Sequence, residues 1–111
     1  MMYHCIIMNK AKIKLPKKRI ADFCRRWKVR EFSLFGSVVG EHFGPDSDVD
    51  VLVSFAPEAG WSLFDLIAMQ DELKGIFGRE VDLVEREGLV NPFRRQAILT
   101  NREIIYESTR A

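Results

Sequence analysis

The stretch Asp48-Val49-Asp50-Val51-Leu52-Val53 leaves the chain little conformational choice. Alternate side chains of a β-strand share a face. Asp48 and Asp50 therefore project to one side, and Val49, Val51 and Val53 to the other. The valine side can join a core. The aspartate side sets like charges against a buried strand, which is costly unless something positive compensates them. Asp82 repeats the pattern in a second apolar run, between Val81 and Leu83. If the two strands are neighbours, three carboxylates converge on one patch. Such a cluster is strained alone and becomes a hard oxygen-ligand site with Mg²⁺.

The rest of the chain alternates helical and extended patterns. Pro16 fits the first turn of a helix whose apolar residues, Ile20, Phe23, Cys24 and Trp27, follow at helical spacing to about Lys28. Residues 31–35 alternate as a strand and stop at Gly36, and a short helix is expected after Ser37, broken near Gly44 and Pro45. Ser62 with Asp65 three residues on predicts a capping box, and Gly78 the end of that helix. Residues 80–85 read as a third strand. Asn91-Pro92 opens a last helix to about Asn101, and residues 103–107 read as a short edge strand. This order predicts an α/β (α+β) domain, with helices packed on one small mixed sheet.

Length and composition narrow the function classes. At 111 residues the chain suits one domain, and 47% hydrophobic with 30% charged residues is ordinary for a globular protein. No apolar run approaches membrane-spanning length, and residues 1–7 are too short for a signal peptide, so a cytoplasmic protein is expected. Cys5 and Cys24 fit no metal spacing, and Cys24 reads as a core residue. Residues 1–30 hold ten Lys or Arg against Asp22 alone, while residues 31–93 hold three against thirteen acids. That asymmetry fits either a solvated basic helix face or a docking surface for nucleic acid, nucleotide or an acidic partner.

Gly36-Ser37 ends a strand before an expected helix start. Glycine lets the backbone approach a ligand closely, and free N–H groups at a helix N-terminus attract phosphate. A phosphate holder beside a diacid site suggests phosphoryl or nucleotidyl transfer. An EF-hand loop from Asp46 fails, because Val51 and Pro57 stand where Gly and Glu are needed. An aspartyl-phosphate phosphatase places its acids after the apolar strand, not before it. Asp46 and Ser47 read as turn formers. For Asp48 and Asp50 the residues alone leave two readings open, a polar turn entering a strand or a metal pair.

Gly36-Ser37, ten residues, then Asp48-Val49-Asp50 resembles the signature of the polymerase-beta nucleotidyltransferase superfamily, and most closely its minimal nucleotidyltransferases. PKKRIADFCRRWKVREFSLFGS, WSLFDLIAMQDELKGIFGREVDLV and NPFRRQAILTNREIIYE extend the resemblance over most of the chain. It implies a nucleotidyltransferase fold in residues 16–111 behind an arm at 1–15. Relatives usually begin near Met8, so residues 1–7 are a candidate for a start-site choice and for disorder. It also implies a toxin–antitoxin context, with AMP passing from ATP to a tyrosine of an all-helical HEPN-type ribonuclease toxin. By position, Gly36 and Ser37 would hold the triphosphate, and Asp48 and Asp50 would bind Mg²⁺, as two ions. Asp82 would complete the metal site and help deprotonate the acceptor. Gly40 stands where many relatives carry Arg, which puts nucleotide affinity in question. Arg86, Arg94 and Arg95 are the candidate substitutes. Membrane association and direct nucleic-acid binding are not expected. Two other functions remain: an antitoxin acting by contact alone, and a small-molecule nucleotidyltransferase, which generally needs a second domain for its acceptor.

Overall fold

Val49, Val51 and Val53 are fully buried, and the sheet is built around them. A computed structural model describes residues 5–6, 15–39, 44 and 47–108. These form β1 (Cys5–Ile6), α1 (Lys17–Arg26), β2 (Val29–Phe35), a 3-10 turn (Gly36–Val39), β3 (Val49–Phe55), α2 (Leu63–Phe77), β4 (Val81–Glu85), a second 3-10 turn (Arg86–Gly88), α3 (Pro92–Asn101) and β5 (Glu103–Glu107). The strands lie in the order β1-β5-β2-β3-β4. Only β3 and β4 run parallel, as the crossover through α2 requires; the other pairs are antiparallel. The α/β reading with one mixed sheet is therefore correct.

Two faces of the sheet carry two unequal cores. On one, α1 (Ile20, Phe23, Cys24) and α2 (Met69, Leu73, Ile76) cover Phe32, Leu34, the three valines of β3 and Val81. Burial pushes the Cys24 thiol up, as suits a core residue. The other face holds a smaller cluster of Phe35, Leu52, Leu89 and Ile98, under α3. Asp50 alternates with Val49 and Val51, so the carboxylates lie on the α3 side.

Local sequence explains the elements. Ser62 caps α2: its Oγ accepts from Asp65 N–H at 3.3 Å, and the Asp65 carboxylate accepts from Ser62 N–H at 2.9 Å. Gly78, at φ 71°, closes that helix. Asn91 Oδ1 accepts from the N–H groups of Phe93 (2.9 Å) and Arg94 (3.0 Å), which starts α3.

Three expectations are corrected. Pro16 is the cap of α1 rather than a residue of its first turn, its carbonyl accepting from Ile20 N–H at 3.0 Å. Where a helix is expected after Ser37, the described residues form a 3-10 turn that already begins at Gly36 and runs to Val39; residues 40–43 lie outside those described. And β5 is not an edge strand: Cys5 and Ile6 pair with Glu107 and Tyr106 on its outer side. A two-residue strand shows no alternation in the sequence, so nothing there announced it. The break near Pro45 falls at a residue outside those described. Among the described residues no helix is long and apolar enough to cross a membrane.

Candidate active site

Register brings the carboxylates together. β3 and β4 pair Val49 with Val81 and Asp50 with Asp82. Paired residues on neighbouring strands share a face, about 5 Å apart. Asp48 immediately precedes β3 and is exposed; Asp50 is half-buried; Asp82 is exposed. Val49 N–H donates to Glu80 O at 2.9 Å and fixes the two strand starts against each other.

Burial raises the proton affinity of the Asp50 carboxyl first, then the charges of Asp82 and Asp48; Arg94 opposes them. All three carboxylates therefore act within one electrostatic field. Their oxygens suit a hard cation, which would relieve the repulsion. Among the described residues no three acidic, His or Cys side chains are gathered tightly enough to cage an ion by themselves.

Gly36 closes the other side of Asp50, since Phe35 is the cross-strand partner of that residue. Its φ is +73°, in the left-handed region. A Cβ there would stand 3.2 Å from Asp50 Cγ and closer still to Oδ2. The glycine thus makes room for the carboxylate as well as for a ligand. Ser37 is half-exposed next to it, while Val38 is buried in the larger core and anchors the turn. Among the described residues this segment is a 3-10 turn, so the phosphate argument rests on Gly36 and the adjoining backbone.

One arginine escaped the sequence reading of the site, and a second was named there only as one of three candidates. Arg79 Nη1 donates to Gly44 O (3.2 Å) and Ser47 O (3.0 Å), clamping the turn that delivers Asp48. The turn is also closed by Ser47 N–H to Gly44 O (3.1 Å) and Gly44 N–H to Ser47 Oγ (3.0 Å), so Ser47 is the turn former expected of it. Arg94, one of the candidates named from the sequence, shares the α3 face of Ile98, which packs with Phe35 and Leu52, and its charge opposes the rise at Asp50. Arg79 does not stand out in the sequence, because an arginine donating to distant carbonyls leaves no local pattern. Asp46 and Gly40 lie outside the described residues. A cleft of about 370 Å³ sits at the far ends of β3 and β4, lined by Phe55, Trp61 and Glu85 among others; none of the three aspartates borders it.

The nucleotidyltransferase domain family matches residues 5–105. This chain belongs to that family. The nucleotidyltransferase is 37% identical over 81 residues to the protein adenylyltransferase MntA of Thermococcus cleftensis, covering 73% of this chain and 77% of that one. Its fold is that of a toxin–antitoxin crystal structure with AMP-PNP, at a TM-score of 0.70 and 21% identity, over 86% of this chain and 76% of that one. It also resembles the complex of a tri-AMPylated Shewanella oneidensis HEPN toxin with MNT antitoxin. There the TM-score is 0.59 and the identity 21%, over 79% of this chain and 66% of that one.

Proposed function

We propose that this nucleotidyltransferase transfers AMP from ATP to a tyrosine of a HEPN-type ribonuclease toxin in the cytoplasm and so acts as its antitoxin. The observation that carries the reading is the in-register pair Asp50 and Asp82, with Gly36 against Asp50. A protein that neutralised its partner by contact alone would have no need of carboxylates held this way. The relatives support the rest: one is named a protein adenylyltransferase, and one is an antitoxin beside an AMPylated toxin. The molecular surface agrees with a protein acceptor. Val90 and Phe93, 89% and 84% exposed, flank the start of α3, next to Arg94.

The chemistry assigns each residue a task. Asp48 and Asp50, with Asp82, would hold Mg²⁺, which when bound neutralises phosphate charge and polarises the α-phosphate. Gly36 and Ser37 seat the triphosphate through backbone N–H groups and the serine hydroxyl. The tyrosine oxygen forms a bond to the α-phosphorus while the bond from that phosphorus to the bridging oxygen breaks. Pyrophosphate departs with the electron pair, and Asp82 accepts the hydroxyl proton.

The experiment is AMP incorporation into the co-expressed toxin, read by intact mass. Changing Asp48 and Asp50 together to Asn should abolish it while circular dichroism stays unchanged, because neither side chain belongs to a core. Full incorporation by the double variant would sink the assignment.

A further inference from the structure

Five arginines lie between residues 79 and 102, and four have work within the fold. Arg79 holds the carbonyls of Gly44 and Ser47. Arg86 stands 3.6 Å from the Glu31 carboxylate. Arg95 donates to Arg86 O at 3.2 Å, and Arg102 to Glu31 Oε2 at 2.6 Å. The Arg94 side chain makes no hydrogen bond or ion pair among the described residues; only its backbone N–H is used, by the Asn91 cap. It is also exposed.

Helix geometry says where that free guanidinium lies. Arg94 and Ile98 are four residues apart and share one face of α3. Ile98 packs with Phe35 and Leu52. Phe35 pairs with Asp50 across the strands, and Leu52 is the next residue of β3 on the same face. The face of α3 that bears Arg94 is therefore laid on the carboxylate side of the sheet. The electrostatics agree, since Arg94 is the cation that lowers the proton affinity of Asp50. An arginine on this face that closes onto none of the three carboxylates is available to an anion. Its planar fork matches phosphate oxygens better than a lysine would.

Resting on the reading that the site takes ATP, we propose that Arg94 grips the triphosphate of the nucleotide from the α3 side, across Asp50 from Gly36. It thereby adds a positive charge that Gly36 and Ser37 do not carry. Arg86 and Arg95, the other candidates in that stretch, are occupied by Glu31 and by a backbone carbonyl.

The test is calorimetric titration of the full chain with α,β-methylene-ATP and magnesium chloride at physiological ionic strength. The bond that the transfer would break is uncleavable in this analogue, so binding is read without chemistry. Arg94→Ala should weaken binding roughly tenfold to a hundredfold, the loss expected for one charge-assisted contact. Arg94→Lys should recover part of it. Arg19→Ala removes the same charge from exposed α1, on the opposite layer, and should leave affinity unchanged. An Arg94→Ala variant that binds as tightly as the unaltered protein overturns the assignment and leaves the proposed function standing. Equal losses in Arg94→Ala and Arg19→Ala would mean that only net charge matters, and would overturn it too. No binding by the unaltered protein overturns both readings.

Discussion

Asp50 sits at the centre of the opposing demands of folding and chemistry. Burial, Asp82 and Asp48 together raise its proton affinity in the folded state. A carboxyl whose pKa is raised on folding stabilises the fold below its unfolded pKa. That contribution is lost as pH rises through the folded value. Near neutral pH the ionised group therefore works against the fold, and Asp50→Asn should raise the melting temperature there. The gain should fade as pH falls towards about 4, the ordinary range of a carboxyl. Thermal unfolding across this range, without divalent cation, checks it; a variant less stable than the parent at neutral pH would contradict the electrostatic account. Adding Mg²⁺ should stabilise the parent more than the variant. At this scale the sequence was informative about identity and less so about cause. Alternation in β3 places Asp50 on the non-valine side, as found. That Gly36 makes room for the carboxylate itself could not be read, because it depends on how the end of β2 meets the start of β3.

Elements set the precision with which these side chains meet. The parallel pairing of β3 with β4 was legible only as a condition, since neither strand alone states its neighbour. Helix caps were legible outright, as with Ser62–Asp65 and Gly78, because capping is local chemistry between residues three or four apart. The position of β5 was not, as it depends on a two-residue pairing with β1. Nor was the clamp of Arg79, which reaches back more than thirty residues to the turn before Asp48. Charge-assisted bonds to two carbonyls at a half-exposed position should contribute about 1 kcal/mol, less than a buried charged contact because water competes for the guanidinium. Arg79→Ala should lower stability by that amount. It should also raise the Mg²⁺ concentration needed for half-maximal AMP transfer, because Asp48 is then delivered by a looser turn. Arg79→Lys should restore part of both. A loss of stability with an unchanged Mg²⁺ dependence would make the clamp structural only.

Among the described residues, the basic face of α1 and the carboxylates lie on opposite layers. The exposed Lys17, Lys18 and Arg19 belong to α1, which packs on the valine face, whereas Asp48, Asp50 and Asp82 lie on the α3 face. These three basic residues therefore lie away from the site, and neutralising them should at most weaken partner association, in a salt-dependent way. Under the proposed function, the acceptor would approach from the α3 side, past exposed Phe93, to bring its hydroxyl in line with the α-phosphate. Asp82 is placed to receive it: exposed, on the outer strand β4, and level with Asp50. Asp82→Asn keeps the shape and removes the base, so it should eliminate AMP transfer while leaving the complex nearly intact. Co-expression with the toxin, co-purification and intact-mass analysis separate the two effects. A variant that still yields AMP-modified toxin would remove Asp82 from the mechanism. One that no longer co-purifies would make its role one of binding. Complete loss of transfer with retained co-purification is the outcome expected of a proton acceptor at the edge of the sheet, where a second protein can reach it.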